Sequence, residues 1–464
     1  MVIDSCKKPF IIVLAILVFV TFGTVAVSAQ DLNITPLDKK TKHHKLESVL
    51  ERLYEENEKS PEDAKKFAKQ RDIKIRDGKV TVFLFSETGN AEDIDTLLLK
   101  IHGAEIIKQG DSIMKVEILI NKLKKIADEV PGISFIKLPD KPVPLVQSEG
   151  VSLTGASSYH ASGYTGAGVQ VAIIDLGFAG LSSAVFTGEI PGSAFLVDCT
   201  GSSCVSTLFP SETETHGTAV AEIVHDMAPD AQLYLIKAND LLDLINARNY
   251  CVANGIKVVN YSVGWVNQNF YDGSCYYDNP VCTADNAYSN GILWVNSAGN
   301  SAQRHYSATF TDPDSDSWHN VSVSEDRIGI NANAGQPIQV FLTWNAWPAT
   351  DQDYDLYLFD SSMNLIDYSL NLQTGTQPPT ESIVTYAPYT DYFFIAIRKY
   401  SATSNHELEV HSFNHNLAPY VASGSLLCPA DASGAMAVAA INYANWLTGL
   451  RKLSALKAQP MTGG

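Results

Sequence analysis

The sequence predicts an α/β protein built on a doubly wound parallel sheet, with a small α+β unit ahead of it and a β-sandwich set into it. Three observations carry this reading. Four apolar runs, Gln170–Asp175, Gln232–Lys237, Lys257–Ser262 and Ile292–Ser297, alternate with helical segments such as Thr218–Asp226 and Leu241–Asn254, as buried parallel strands do. Upstream, residues 79–138 follow the order strand, helix, strand, strand, helix, strand, which is the ferredoxin-like arrangement. Between residues 306 and 416 the pattern changes to short alternating strands separated by turn-rich stretches, the signature of a sandwich.

From the amino terminus, Lys7 and Lys8 precede an unbroken apolar run, Phe10–Phe22, and Val27-Ser28-Ala29 offers a small-residue cleavage site before Gln30. Residues 1–29 therefore read as a secretory signal peptide. Left uncleaved, the run Pro9–Val27 is long enough to anchor the chain in a membrane. Either way the bulk of the chain is expected to be secreted or to sit at the cell surface.

Residues 30–76 are polar and charged, with one helical stretch over Leu46–Lys69 in which Leu46, Val49, Leu50 and Leu53 recur at helical spacing. Within 77–140, Lys79–Phe85 alternates as a strand and Ala91–His102 reads as a helix with Ile94, Leu97 and Leu98 on one face. Glu105–Lys108 and Ile113–Leu119 form a hairpin around Gln109-Gly110-Asp111, Asn121–Val130 is a helix capped by Asn121, and Ile133–Leu138 is a last strand. Residues 141–165 read as a linker, the stretch Pro139–Glu149 being rich in proline.

The α/β core follows in two parts, 166–305 and 417–449, with the sandwich between them. The sandwich strands are Ile338–Trp344, Tyr354–Phe359, Ser382–Tyr386 and Phe393–Arg398, and Gly434–Asn442 reads as a further buried core strand. Residues 450–464 form a basic tail with neither strand nor helix signal.

A formal charge of −18 repels phosphate backbones and anionic bilayers, so neither nucleic acid nor a membrane surface is an expected partner. Beyond Cys6 six cysteines remain, Cys199, Cys204, Cys251, Cys275, Cys282 and Cys428, an even number that favours disulfides in an exported chain. Cys199/Cys204 and Cys275/Cys282 are close enough to close small loops, which would leave Cys251 with Cys428, although sequence does not choose among the pairings. Paired CxxC spacings, the usual mark of structural zinc, are missing.

Three segments carry chemistry. Val171-Ala-Ile-Ile-Asp175 is a buried strand delivering a carboxylate at its carboxyl end, where α/β sheets place their function. Thr215-His216-Gly217-Thr218 is a turn running into a helix with histidine at its start. Trp294-Val-Asn-Ser-Ala298-Gly299-Asn300 is a strand ending in an amide. Singly each is weak, since an Asp at a strand end is usually a turn former and a lone His is usually structural. Their order is that of a catalytic Asp, His and later Ser.

The stretch Gly166–Asn442 resembles the subtilases, the subtilisin-like serine proteases, whose blocks it matches at Asp175, at His216-Gly217-Thr218 and at Ala298-Gly299-Asn300. Val258-Val-Asn-Tyr-Ser262-Val263-Gly264 is similar to the family's substrate-binding strand, and Cys428-Pro429-Ala430 with Ala435–Ala440 to the block preceding the end of its core. The resemblance implies a polypeptide substrate and an endopeptidase. In it Asp175 orients the imidazole of His216 as general base, Asn300 helps hold the oxyanion, and Ser262, Val263 and Gly264 bind the peptide main chain, with Gly264 leaving space beside the P1 side chain. It also implies that the ferredoxin-like unit is a propeptide, removed by cleavage within Pro139–Gly150. Leu176-Gly177-Phe178 departs from the small hydroxyl residue and glycine usual after the aspartate.

The chemistry requires no cofactor. Asp351, Asp353 and Asp355, alternating along one strand edge of the unusual sandwich insertion, offer ligands for a structural calcium, the competing reading being a solvated edge.

The Gly-Thr-Ser segment with proline four residues on, which carries the nucleophile in subtilases, does not occur in the sequence. Ser433 imitates it poorly, with Asp431 in place of glycine and Ala437 in place of proline. With ordinary codons, the bases for Ser454–Gly463 read in a neighbouring frame encode Phe-Ser-Ser-Gln-Gly-Pro-Thr-Asn-Asp-Gly, similar to a run that subtilases carry after this strand. The expectation is a core interrupted by a frameshift before its serine, and a chain that is inactive as written. The competing readings are a secreted pseudoenzyme or peptide-binding module, and a sedolisin-type carboxyl peptidase drawing on Glu214 and Glu222.

Overall fold

The computed structural model describes residues 43–139, 143–144, 150–207 and 212–440. The signal segment, most of the proline-rich stretch and the tail therefore lie outside the described residues. No helix among those described is long and apolar enough to cross a membrane.

The core sheet runs Ala435–Val438, Leu293–Ser297, Val258–Tyr261, Gln170–Asp175, Gln232–Lys237, Phe195–Asp198, Val205–Ser206. All neighbours are parallel except the last pair. Strand order thus reverses direction about Gln170–Asp175, and helices cover both faces, so the strands are buried on both sides and read as apolar runs. One face packs Ala172, Ile174, Val259 and Trp294 under the helices Leu241–Ala253 and Pro280–Ser289. The other packs Val171, Ile173 and Leu235 against Phe178, Val220 and Ala221 of the opposite layer.

Ala435–Val438 departs from the buried strand expected over Gly434–Asn442. Among the described residues it lies at the sheet edge, paired on one side with Leu293–Ser297, and Met436 is 53% exposed. An apolar sequence alone does not tell an edge strand from a central one.

The amino-terminal sheet runs Ile133–Lys137, Lys79–Ser86, Ile113–Leu119, Glu105–Gln109, antiparallel throughout, with the two residues Ile75–Arg76 folded back on Lys79–Val80. The boundary drawn at residue 76 dissolves here. The helices Ser48–Lys59 and Pro61–Lys69, separated at Ser60, whose hydroxyl caps the second by accepting from the Asp63 N–H, bury Leu50, Leu53 and Phe67, with Leu46 just ahead of them, in one core with Val80, Val82, Val116 and Ile126. Two further readings fail locally. Ala91–Asp93 is a 3-10 turn and the helix starts only at Thr96, capped by Asp95, with Leu97 exposed and Leu99 buried instead. Asn121 lies in another 3-10 turn, and Leu123–Glu129 has no side-chain cap. Within the expected linker, Ala156–Ala161 is a short helix.

Residues 305–412 form two four-stranded antiparallel sheets sharing one core of Ile330, Val340, Trp344, Leu356, Phe393 and Val410. The first strand, His305–Thr309, pairs with the last, Glu407–Ser412. The chain therefore enters and leaves this unit side by side. Cys199–Cys204 and Cys275–Cys282 are disulfides, while Cys251 and Cys428, left to each other by the sequence reading, are both buried free thiols.

Candidate active site

Asp175 ends its strand fully buried, and its Oδ2 lies 2.8 Å from His216 Nδ1. The backbone N–H of Leu176 donates to the other carboxylate oxygen, Oδ1, at 2.8 Å. Burial pushes the Asp175 carboxyl up, and the histidine partly offsets this by bonding to the charged form. Such a carboxylate selects the imidazole tautomer with hydrogen on Nδ1, which leaves Nε2 as the base.

The approach depends on two glycines. A Cβ on Gly217 would stand 2.5 Å from Gly177 O and 2.8 Å from Asp175 Cβ, and one on Gly177 would stand 2.9 Å from Glu214 Cβ. Their absence lets the helix His216–Met227 begin directly against the Asp175 strand, joined by Gly217 N–H to Gly177 O at 3.1 Å. The unusual Leu176-Gly177-Phe178 thus keeps the small residue where it is needed, and Phe178 turns into the core.

Two acids beside the pair have separate tasks. Glu214 accepts from the His216 backbone N–H at 3.0 Å. Glu212, which the sequence reading missed, accepts from the Phe178 N–H at 2.7 Å and pairs with Lys237. Nothing in the local sequence marks Glu212, because its partners come from two other elements. Further along the helix, burial first and then the charges of Glu189 and Asp226 raise the Glu222 carboxyl.

Asn300 is exposed just past the carboxyl end of Leu293–Ser297, two strands from Asp175 and at the same end of the sheet. Ser433 lies before Ala435–Val438, at the opposite, amino end of these parallel strands, and its Oγ donates to Asp285 at 3.1 Å. Ser262, Val263 and Gly264 are buried, and Ser262 Oγ donates to Asn260 at 3.1 Å. Val263–Gly264 pairs antiparallel with Val143–Pro144, Val263 opposite Pro144 and Gly264 opposite Val143. Gly264 itself is closely packed. A Cβ there would meet Leu427 Cδ1 at 2.8 Å.

The profile of the Subtilase family matches residues 166–370, the stretch holding Asp175, His216 and Asn300. Residues 166–370 form a domain of the subtilase family. The chain is 29% identical over 181 residues to subtilisin amylosacchariticus of Bacillus subtilis subsp. amylosacchariticus, covering 34% of this chain and 42% of that protein. It is 30% identical over 167 residues to subtilisin DY of Bacillus licheniformis, covering 33% and 54%. The chain thus spans about half the length of the curated relatives it matches. Among solved structures it is similar to the CspB protease of Clostridium perfringens, with a TM-score of 0.42 at 14% identity, covering 64% of this chain and 75% of that one.

The calcium reading changes membership. Asp353 and Asp355 are buried, contrary to a solvated edge, although at these two positions only Asp391–Ser401 pairs with their strand, Leu365–Ser369 joining it from Leu356 on. Their carboxylates approach those of Glu381 within 4.8 Å, while Asp351 is exposed and outside the group. These are oxygen ligands of the kind calcium takes.

Proposed function

We propose that this protein is the precursor of a secreted subtilisin-like serine endopeptidase, with residues 43–139 forming a propeptide that holds the substrate groove until the linker is cut. The observation that carries the reading is the buried Asp175 bonded to His216 Nδ1 at 2.8 Å. Such a pair has one evident use, to let imidazole remove a proton from a nucleophile and stabilise the imidazolium that forms. The serine would stand on a segment bearing Gly-Thr-Ser, with Asn300 donating to the oxyanion. Ser433 does not fill that place.

The groove reading rests on Val143–Pro144 lying antiparallel to Val263–Gly264, as an extended substrate adds itself to a sheet edge. The bond proposed for self-cleavage lies within Pro139–Gly150. Two measurements test this. Reading the gene beyond codon 440 establishes whether a Gly-Thr-Ser segment follows in any frame. Amino-terminal sequencing of the processed form carrying that segment is expected to begin between residues 140 and 150. A start outside that range would break the groove assignment. Absence of any such segment would leave a peptide-binding module, which the occupied groove also supports.

A further inference from the structure

We infer that the inserted two-sheet unit is a second receptor for the amino-terminal domain, gripping it independently of the catalytic core and retaining it after the linker is cut. This rests on the propeptide reading above only for the event that cuts the linker.

The contact is built around Asp367, 3% exposed, on the strand Leu365–Ser369. Arg52 Nη1 reaches its Oδ1 at 2.7 Å and Arg71 Nη2 its Oδ2 at 2.9 Å. Arg52 lies on the helix Ser48–Lys59 and Arg71 in the turn that follows the helix Pro61–Lys69, Arg52 also lying 4.4 Å over the Tyr368 ring. Beside them, Asn371 Oδ1 accepts from Ser48 N–H at 2.8 Å. That N–H begins the helix Ser48–Lys59, whose own N-cap, Glu47, makes no side-chain cap. The insert therefore supplies a cap that the helix lacks. Gln377 Nε2 donates to His44 O at 2.8 Å.

Two features mark this interface as a docking contact between separate units and not as one continuous core. Its anchors are ions and amides, which water can serve once the surfaces part, whereas a permanent domain contact is mostly apolar. It also leaves a cavity of about 350 Å³, walled by Arg52 and Ile73 of the amino-terminal domain, Asn239 of the core, and Phe341 and Tyr368 of the insert. A buried charge triad fixes register and specificity more than it adds net affinity, and removal of one partner leaves the others costly to bury.

The test uses the full chain with a recognition sequence for an unrelated site-specific protease inserted after Gln147. After cutting, the fragments are separated by size and the dissociation rate is followed. The native pair is expected to co-elute, and Asp367→Asn to speed dissociation by about 100-fold or more. Arg71→Met alters the other partner and should do the same, the double variant losing little beyond either single one. An unchanged rate in both variants, or fragments that part at once in the native chain, would overturn the inference. Because an added protease makes the cut, failure of self-cleavage would not mimic either result.

Discussion

In a form of the protein that carries the triad serine, Asp175→Asn is expected to lower kcat by about 10⁴-fold, roughly 5.5 kcal/mol of transition-state stabilisation, with little change in KM. The asparagine fits the same volume and can still accept from the Leu176 N–H, so the strand end should hold its shape. What changes is the partner at 2.8 Å from His216 Nδ1. A neutral amide does not hold the tautomer firmly, nor does it stabilise imidazolium. Steady-state kinetics on a peptide anilide separate the outcomes. A loss confined to KM would mean that Asp175 shapes the groove and leaves the proton transfer to another group.

The second large effect concerns Lys108→Met. Lys108 Nζ donates to Asp243 Oδ1 at 2.7 Å and to Cys199 O at 3.2 Å, both partners of the ion pair being buried where the amino-terminal sheet meets the helix Leu241–Ala253. Taking the lysine away leaves Asp243 buried next to Asp240, at a cost of about 3–5 kcal/mol. Burial and Asp240 already raise the Asp243 carboxyl to about 6, and Lys108 restrains that rise. A carboxyl raised in the folded state contributes most below its unfolded value of 3.8, and its contribution falls as pH climbs through about 6. Without Lys108 the fall continues to higher pH. Denaturation midpoints of variant and native chain should therefore lie closest near pH 5 and furthest apart near pH 8. A gap independent of pH would mean that Met fails by packing and not by charge.

The parallel strands of the core were legible because burial on both faces leaves an apolar run with few alternatives, and His216-Gly217-Thr218 because a turn running into a helix with histidine at its start follows such a strand in the expected order. Asp175 was legible through its place at a strand end. Other features needed the third dimension. Leu427 packs against Gly264 from 163 positions away and carries no local mark. Asp353 and Asp355 alternate as solvated residues do, yet both are buried. The helical periodicity of Leu46–Leu53 showed a helix, but gave no sign that its apolar face belongs to the following sheet. Leu97 was placed on the wrong face because the helix starts later than its apolar spacing suggests.

The side-by-side entry and exit of the insert have a mechanical consequence. One tether would let it swivel, whereas two strands bonded to each other, His305–Thr309 and Glu407–Ser412, resist twisting as a pair of legs does. One leg starts five residues after Asn300 and the chain returns to the core at Cys428, whose carbonyl accepts from the Trp265 N–H next to Gly264. The span between the groove and Asp367 is thereby held like the jaws of a caliper. Whatever domain is clasped by both jaws must match that gauge in thickness as well as in charge.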